Sequence, residues 1–367
     1  MAKGNRVLVV GGYGTVGMLI SDLIARRYPD VDVVVGGRRF FAAEAAARLH
    51  GLAGAVRVDV TDEDPLADVD PLPDAVLVAL NDHNDRLLHS AARRGIPLID
   101  IARWLVRIED AHRTLAREAV TAPVVLASGW MASAAPVTAA AYGWGAPADH
   151  VDIDILLSLK DKTGPDSATG FVDVHLPFEL WEQGETRTVR GVSEPRTVTF
   201  SNGRTRSCRL FSSPEQATLV TAGHARGVSV RMAFDNRPTN SAFTALVNSG
   251  LWARLSRERR FGILHNPGAK DGAPHEFVVT IKNGLAIRRI LVKDPEGQAH
   301  LTAASAVTQL ERVLGLNGRD RPNPGISFPE DAKDVMVDVA AMESMGVQFT
   351  ELSRSQAASA ASAAPAA

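Results

Sequence analysis

The sequence predicts an α/β protein: an N-terminal Rossmann-type, doubly wound parallel sheet, followed by a second α+β domain with a mostly antiparallel sheet. The first third alternates short β-branched runs with helical patterns, which is typical of a parallel sheet covered by helices. A Gly-x-Gly-x-x-Gly motif lies between the first run and the first helical pattern. From His150 onward, longer alternating runs separated by turn residues are typical of antiparallel strands.

Periodicity places the elements of the first domain. The predicted strands are Val7–Val10, Val31–Val35, Val56–Val60, Asp74–Leu80, Pro97–Ile101 and Pro123–Ala127, near which the sheet is expected to end. The first helix follows from the apolar spacing of Val16, Leu19, Ile20, Leu23 and Ile24. Further helices are predicted at Phe40–His50, Asp85–Arg94 and Glu109–Glu118.

The second domain is predicted from alternating patterns. Its strands are expected at Val151–Leu159, Gly170–Leu176, Thr186–Val192, Arg196–Phe200, Val228–Phe234 and Glu276–Lys282. Helical spacing returns over Leu301–Leu314, with Gly315 as the residue that ends the helix. Because a chain of 367 residues exceeds the usual size of one core, we expect domains at 1–128 and 129–300. The Ala- and Ser-rich stretch 355–367 is predicted to be disordered.

Charge and cysteine content indicate which partners and which cellular compartment to expect. Lys and Arg number 40 against 42 Asp and Glu, so no net field attracts nucleic acid or an anionic membrane, and a small-molecule partner is expected. The single cysteine, Cys208, cannot form an internal disulfide, which fits a reducing compartment. The N-terminal apolar run is far shorter than a signal-peptide core, and we expect a cytoplasmic protein.

The glycine motif predicts a phosphate-binding loop. Gly12 is expected to permit the tight turn, Gly14 to let the backbone approach a pyrophosphate, and Gly17 to let helix and strand pack closely. The anion then meets the amides and positive dipole of the helix N-terminus. The alternative is an ordinary strand-to-helix turn. The loop residues predicted to bind cofactor are Gly12, Tyr13, Gly14, Thr15, Val16 and Gly17.

The end of the second strand selects between the two nicotinamide cofactors. NAD-binding chains usually place a carboxylate there, but this chain has Arg38 and Arg39, and no carboxylate between Asp32 and Glu44. An arginine binds a 2′-phosphate through parallel N–H bonds, whereas a carboxylate repels it. The sequence therefore predicts NADP in preference to NAD. In the alternative interpretation the two arginines are only solvated loop residues.

Two more positions follow from the rule that ligands lie beyond the carboxyl ends of parallel strands. Asp59 and Val60 are predicted to close the third strand and border the adenine. Leu80 and Asn81, followed by Asp82, are predicted to close the fourth and approach the nicotinamide ribose. The alternative is that these residues only cap the next helices.

The sequence does not contain the catalytic residue patterns that other classes of dehydrogenase require. No tyrosine is followed four residues later by lysine, which excludes the short-chain class. A zinc site would need Cys and His ligands, and His83 and His89 lie six apart without a third ligand nearby, so no metal is predicted. Cys208 has no neighbouring histidine to activate it as a nucleophile.

Several segments together resemble the saccharopine dehydrogenase-like family, in its reductase branch. Val7 to Arg39 resembles the family's opening strand, glycine loop and second strand, and Arg93 to Ile101 resembles its Gly-x-x-Tyr-x-Asp-Leu segment. Pro324 to Glu330 and Met345 to Phe349 resemble its closing Gly-Val-x-x-Pro-Glu and Gly-Ile-x-Phe signatures. The chain departs from the family at residues 128–136, where members often have Gly-x-x-Pro-Gly.

The resemblance implies hydride transfer from a nicotinamide cofactor to a C=N or C=C bond. It also implies that 301–352 packs back against the first domain. Imine reduction asks for positioning and a general acid. The candidates for catalysis are Lys160, His175 and Asp100, beside the charged residues Asp161, Lys162, Asp173 and Asp235; those for substrate binding are Trp130 and Arg237.

The main hypothesis is an NADPH-dependent reductase that acts on an imine or a similar polarised double bond of a small metabolite, with a homodimer as its expected assembly. One alternative is a trans-acting enoyl reductase of a lipid or polyketide. The other is a non-catalytic regulator that senses NADP, which the unassigned catalytic acid keeps open.

Overall fold

The computed structural model describes residues 4–161, 164, 169–265 and 272–352. These residues form two compact units. Unit 1 holds the described residues up to Ser133 together with Thr302–Asp334, and unit 2 holds Ala134–Leu301 and the described residues from Val335 onward. The candidate Lys162 and the tail 355–367 lie outside the described residues. None of the helices in the described ranges is long and apolar enough to cross a membrane.

Unit 1 contains a parallel sheet of the classical doubly wound kind. Its strands are β1 (Arg6–Val10), β2 (Asp32–Gly37), β3 (Gly54–Arg57), β4 (Ala75–Val78), β5 (Leu98–Asp100), β6 (Pro123–Leu126) and β15 (Gly325–Ser327). Their spatial order is β15-β6-β5-β4-β1-β2-β3, and each neighbouring pair is parallel. The predicted fold class is thus confirmed. The prediction that the sheet ends near residue 127 is wrong, because β15 returns from far along the chain to pair with β6.

Helices alternate with these strands and then continue into unit 2. The helices are α1 (Thr15–Arg27), α2 (Phe40–Leu49), α3 (Arg86–Arg93), α4 (Leu105–Leu115), α5 (Trp130–Ala141), α6 (Glu215–Thr221), α7 (Arg237–Asn248), α8 (Leu251–Arg254), α9 (Arg257–Leu264), α10 (Gln298–Leu314) and α11 (Val335–Ser344). The apolar stripe of α1 buries Ile20 and Ile24 completely, as its spacing predicts. Gly315 adopts φ of 66° directly after α10, where the sequence predicts the stop.

Unit 2 contains a mixed sheet and a separate hairpin. The sheet strands are β7 (His150–Leu157), β10 (Arg196–Thr199), β11 (Thr205–Leu210), β12 (Val228–Phe234), β13 (His275–Asn283), β14 (Ala286–Asp294) and β16 (Gln348–Glu351). They lie in the order β10-β11-β12-β7-β13-β14-β16, and among them only β12 and β7 are parallel. Strands β8 (Pro177–Glu182) and β9 (Glu185–Arg190) form the hairpin. The mostly antiparallel sheet is confirmed.

The predicted strand at Gly170–Leu176 is wrong. This segment forms turns in which the amides of Val172, Val174 and Leu176 each donate to the carbonyl three residues earlier, at 2.9–3.3 Å. The carbonyl of Val172 accepts from the indole of Trp252 and from Arg260 instead of from a strand. Buried valines at alternating positions therefore imitate a strand pattern here.

Candidate functional site

The candidate site lies at the carboxyl ends of the parallel strands in unit 1, where β1 turns into α1. The turn is drawn against the end of β2, because the amide of Gly11 donates to the carbonyl of Gly36 at 2.9 Å. The amide of Gly14 then donates back to the carbonyl of Gly11, also at 2.9 Å. The left-handed residue is Gly11, with φ of 81°, and not Gly12, to which the motif assigned the tight turn.

The three motif glycines have different surroundings. A Cβ at Gly17 would overlap the carbonyl of Gly11, and one at Gly12 would lie 2.7 Å from the carbonyl of Val9. Gly14 is exposed, and its Cβ would meet only the carbonyl of Gly11, at 3.1 Å. Packing between helix and strand therefore requires Gly12 and Gly17. Gly14 instead keeps the space in front of the loop open.

The N-terminus of α1 suits an anion. Gly14 is its N-cap, no side chain caps it, and no acidic residue lies in its first turn. Because an α-helix has no internal acceptors for its first amides, those of Thr15 and Val16 point out of the helix end. The positive end of the dipole adds to their effect. The residues present thus fit the pyrophosphate of a dinucleotide.

Tyr13 and Arg39 lie together at the end of β2. A Cβ at Gly37 would overlap the Tyr13 ring, so this glycine lets the ring lie on the strand end. The Arg39 guanidinium lies 5.3 Å from the centroid of the same ring, in a cation–π arrangement. Arg38 is exposed beside them. The end of β2 therefore carries an aromatic ring and two arginines side by side.

The loop after β3 carries the next candidates. The Asp59 carboxylate accepts from the amide and the hydroxyl of Thr61, at 3.0 and 2.7 Å. These two bonds, helped by the charges of Arg57 and Arg38, hold the pKa of Asp59 below its usual value. The prediction that Asp59 and Val60 close the strand is wrong, because β3 ends at Arg57 and leaves both in the loop.

The end of β4 lies beside the phosphate loop. A Cβ at Gly11 would be 3.4 Å from Cβ of Leu80, so that Leu80 borders the turn directly. Asn81 follows it and is half-buried. Asp82 accepts from the amides of Arg86 and Leu87 at the start of α3, and burial raises its pKa. Of these three residues, Asp82 is therefore held as a helix cap.

Sequence reasoning missed a buried charge network behind β4 and β5. Asp85, at φ of 56°, pairs with Arg103 at 2.7 Å and with Arg107 at 2.6 Å. Arg103 also pairs with the catalytic candidate Asp100, at 2.7 Å. Burial raises the pKa of Asp100, against the lowering effect of the Arg103 charge. The network fixes the loops at two strand ends, and no short sequence spacing indicates it.

A left-handed turn follows β6, in the stretch where the chain departs from the family pattern. Met131, Ala132 and Ser133 have φ of 54°, 49° and 70°, which side chains with a Cβ rarely adopt. Two bonds close the turn: Ser133 N donates to Gly129 O at 2.8 Å, and Gly129 N donates to Ser133 Oγ at 3.1 Å. From α10, Ser305 Oγ donates to Ala132 O at 2.8 Å. The neighbouring substrate candidate Trp130 is buried.

The candidates in unit 2 fall in separate settings. Asp173 pairs with Arg260 at 3.0 Å, and that guanidinium also lies 3.5 Å from His175 Nδ1. Burial and the Arg260 charge lower the pKa of His175. Lys160 and Arg237 are exposed, and the Arg237 guanidinium lies 3.4 Å from the Thr205 hydroxyl. The Asp161 carboxylate accepts from the amide of Gln298 at the start of α10. The backbone carbonyl of Asp235 accepts from Arg206.

A buried histidine–aspartate pair in unit 2 was also missed. His300 Nδ1 lies 2.7 Å from the Asp294 carboxylate, whose other oxygen accepts from the amide of Glu296. Asp294 lies opposite His275 in the β13–β14 ladder. The only sequence signal is one histidine six residues after one aspartate, which is too common to indicate a pair.

Comparison with protein-family models and with the sequences of curated proteins finds no match. Among solved structures, saccharopine dehydrogenase (L-Glu forming) from Saccharomyces cerevisiae superposes with a TM-score of 0.63 at 15% identity, over 95% of this chain and 100% of that one. The chain has the fold of saccharopine dehydrogenase. The fold thus agrees with the family that the sequence segments resemble.

Two inositol dehydrogenases are similar at lower scores than saccharopine dehydrogenase. The scyllo-inositol dehydrogenase from Lactobacillus casei, with bound NAD(H) and scyllo-inositol, has a TM-score of 0.46 at 12% identity, over 95% of this chain and 99% of that chain. A myo-inositol dehydrogenase from Corynebacterium glutamicum has a TM-score of 0.44 at 12% identity, over 95% and 100%.

Proposed function

We propose that this protein is an oxidoreductase that uses NADPH to reduce an imine, or a similarly polarised double bond, of a small metabolite. The observation that carries the proposal is the open N-terminus of α1 behind Gly14, at the point where the sheet order reverses between β1 and β4. In doubly wound sheets this is where dinucleotides bind. The fold of saccharopine dehydrogenase supports the same reading.

The preference for NADPH rests on the end of β2. Arg38 is exposed there and has no ion pair within the described ranges, and Arg39 lies on the ring of Tyr13. Guanidinium groups favour a 2′-phosphate, because two N–H bonds match two phosphate oxygens. The charge of Arg38 lowers the pKa of Asp59, but the two side chains form no ion pair, and the Asp59 carboxylate accepts hydrogen bonds from Thr61 instead. We therefore expect Arg38 to be available to the phosphate.

The cofactor and the protein contribute different parts of the proposed reaction. NADPH supplies a hydride when bound, and the protein has to hold donor and acceptor in near-attack geometry. The network of Asp85, Asp100 and Arg103 makes the loops at the ends of β4 and β5 rigid. Burial and the charge of Arg260 lower the pKa of His175, which disfavours the protonated ring that a general acid needs. Lys160 and Asp100 remain further catalytic candidates, with Trp130 and Arg237 for the substrate.

The test is oxidation of NADPH, followed by its absorbance, with a panel of amine and ketone pairs and a parallel panel of enoyl thioesters. Turnover with amine and ketone pairs, lost in the Arg38→Ala variant at limiting NADPH, supports imine reduction. Turnover with enoyl thioesters alone would support the enoyl reductase. Tight NADPH binding without any turnover would indicate a sensor of NADP. Each alternative result contradicts imine reduction.

A further inference from the structure

The loop between β4 and α3 presents a histidine to solvent at the carboxyl edge of the sheet in unit 1. His83 and Asn84 are exposed there, and they lie between two buried carboxylates, Asp82 and Asp85. The amide of Asp85 donates to the carbonyl of Asp82 at 3.3 Å, which closes a β-turn with His83 and Asn84 at its tip. Within the described ranges, the imidazole of His83 forms no hydrogen bond and no ion pair. This histidine is therefore both accessible and available to a ligand.

The turn that carries His83 is fixed at both of its ends. The carboxylate of Asp82 accepts from the amides of Arg86 and Leu87 at the start of α3, at 3.2 and 2.8 Å. From α4, the guanidinium of Arg107 donates to the carbonyl of Asp82 at 2.5 Å and to the carboxylate of Asp85 at 2.6 Å. Exposed loop tips are usually the mobile parts of a fold. Here the buried charges hold the backbone of the turn, so that the exposed imidazole has a defined place.

The position of the turn in the sheet relates it to the nicotinamide end of the cofactor. In a doubly wound sheet a dinucleotide lies beyond the carboxyl ends of the strands where the order reverses, here β1 and β4. The half with β1, β2 and β3 carries the phosphate loop, Tyr13 and the arginines, which assigns the adenosine end to it. The half that begins with β4 then takes the nicotinamide end. From β4 the chain passes Leu80, which borders the glycine turn, and reaches His83 three residues later.

Two other catalytic candidates are less suited to donate a proton. Asp100 is buried and paired with Arg103 at 2.7 Å, so that its carboxylate is engaged. The charge of Arg260 and burial lower the pKa of His175, which disfavours its protonated ring. His83 has neither restriction, because it is exposed and no cation pairs with the carboxylates beside it at the expense of the imidazole. Histidine is also the side chain that most readily gains and loses a proton near neutral pH.

We propose that His83 is the catalytic acid of the reductase, and that its imidazolium donates a proton to the nitrogen of the substrate imine. The hydride transferred from NADPH forms the new C–H bond at the imine carbon. The electron pair of the C=N π bond takes the proton from His83 and forms the N–H bond, which leaves an amine, NADP⁺ and neutral imidazole. Water then returns a proton to the exposed ring. The inference rests on the proposed function, because the step needs the hydride of bound NADPH.

The first experiment measures NADPH oxidation by His83→Ala with the amine and ketone pair that the wild type turns over best. We expect kcat to fall by about 100-fold or more, as for the loss of a general acid, and KM for NADPH to stay within about twofold. Added imidazole should restore part of the turnover, because it can donate the proton from the space that the side chain leaves. His89→Ala is the matched control: His89 lies on α3 and pairs with Glu118 at 2.7 Å, and its loss should leave kcat unchanged.

The second experiment locates His83 without any turnover, through the NMR signal of its ring Cε1–H group, which is assigned by its absence in His83→Gln. We expect the signal to shift when NADPH binds and to stay in place with adenosine 2′,5′-bisphosphate, which contains only the adenosine end. An unmoved signal at saturating NADPH would overturn the inference, and so would a wild-type kcat in His83→Ala. If the wild type binds neither ligand, the proposed function itself fails, which is a different result.

Discussion

We expect a single side chain, Arg38, to set the preference between NADPH and NADH. We expect Arg38→Ala to bind NADPH roughly ten- to a hundredfold more weakly, because charge-assisted hydrogen bonds to the 2′-phosphate are lost. Its affinity for NADH should stay within about twofold, since NADH lacks that phosphate. Titration of NADPH fluorescence and of NADH fluorescence measures both affinities.

Arg48→Ala is the matched control for this substitution. Arg48 is an exposed arginine at the end of α2, paired only weakly with Glu44 at 3.4 Å, and it should leave both affinities unchanged. A parallel loss of NADPH and NADH affinity in Arg38→Ala would show that the arginine acts through the fold of the loop and not through the phosphate.

The phosphate loop allows ligand binding and folding to be separated. Gly14→Ala should lose much less thermal stability than Gly17→Ala, because its Cβ would make one tight contact, 3.1 Å to the Gly11 carbonyl, and no overlap. The added methyl group lies where the backbone has to approach the pyrophosphate, so NADPH affinity should fall by about tenfold or more. Calorimetric titration and thermal unfolding of the same sample measure the two effects.

Gly17→Ala provides the contrast, because its Cβ would overlap the carbonyl of Gly11 between helix and strand. This variant should lose thermal stability even without cofactor. A Gly14→Ala protein that binds NADPH as tightly as the wild type would argue against a pyrophosphate at this loop.

The sequence predicts those site residues whose role depends on residues close to them along the chain. The phosphate loop and Arg38 follow from local spacing, because strand, turn and helix are consecutive. Asp85 and His83 do not, because Asp85 pairs with Arg103 and the turn that carries His83 is fixed by Arg107. Such pairings form only when the strands are assembled.

Among the elements, strand β7 carries two buried carboxylates with opposite electrostatics. Asp154 is fully buried, neither of its oxygens has a hydrogen-bond partner among the described residues, and Arg196 lies 3.4 Å away. Burial, with the charge of Asp152, raises the pKa of Asp154 to about 6 against the attraction of nearby arginines. A raised pKa means that the protein loses stability as the pH rises from about 4 to about 6 and Asp154 ionises.

Asp154→Asn should remove this dependence. The free energy of unfolding of the variant relative to the wild type should rise by roughly 2–3 kcal/mol between pH 4 and pH 7.5, because only the wild type acquires a buried charge. Urea unfolding at the two pH values measures the change. A difference between variant and wild type that is independent of pH would contradict it.

For Asp152, on the same face of β7, we expect the opposite dependence of stability on pH. It pairs with Arg196 at 2.5 Å, Arg231 at 2.7 Å and Lys282 at 2.7 Å. Burial opposes ionisation, but the His150 hydrogen bond and these charges outweigh it and hold the pKa of Asp152 well below its usual value. Asp152→Asn should therefore destabilise the protein at pH 7.5, with the loss shrinking as the pH falls into the acid range where Asp152 itself is protonated.

The buried network in unit 1 leads to a prediction about β4, β5 and α4. Arg103→Met should destabilise the protein by roughly 3–5 kcal/mol, since it removes the ion-pair partner of the buried Asp100 and one of the two arginines that pair with Asp85. Arg113→Ala, at an exposed pair with Asp110, is the control and should cost less than about 1 kcal/mol. Equal stability of the two variants in urea would contradict a structural role for the network.

The sequence predicts secondary structure correctly where a helix or strand packs a single apolar face against the core. The helix α1 and strands β1, β2 and β12 follow from apolar spacing, whereas Gly170–Leu176 has the same alternation but forms turns. Strand β3 begins two residues before its predicted start and ends at Arg57, although the amide of Val58 still donates to the carbonyl of Gly37 at 3.1 Å. Apolar alternation reports burial, and it does not report hydrogen-bond partners.

For the whole molecule, the most distant pairings were beyond local sequence reasoning. Strand β15 joins β6 from about 200 residues later, and β16 joins the sheet of unit 2 along β14. Arg312 supports the first pairing by donating to the carbonyl of Pro329 at 3.2 Å. Only the resemblance of the closing segments to a known family indicated that the C-terminal part belongs to the fold.

For the whole protein, the proposed function requires that NADPH binds as a specific ligand. Titration of the purified full chain, following NADPH emission and the quenching of tryptophan fluorescence, tests this most directly when NADH is titrated alongside. We expect saturable binding of NADPH at micromolar concentration, roughly tenfold or more tighter than that of NADH. If neither cofactor binds below millimolar concentration, the protein is not an NADPH-dependent oxidoreductase.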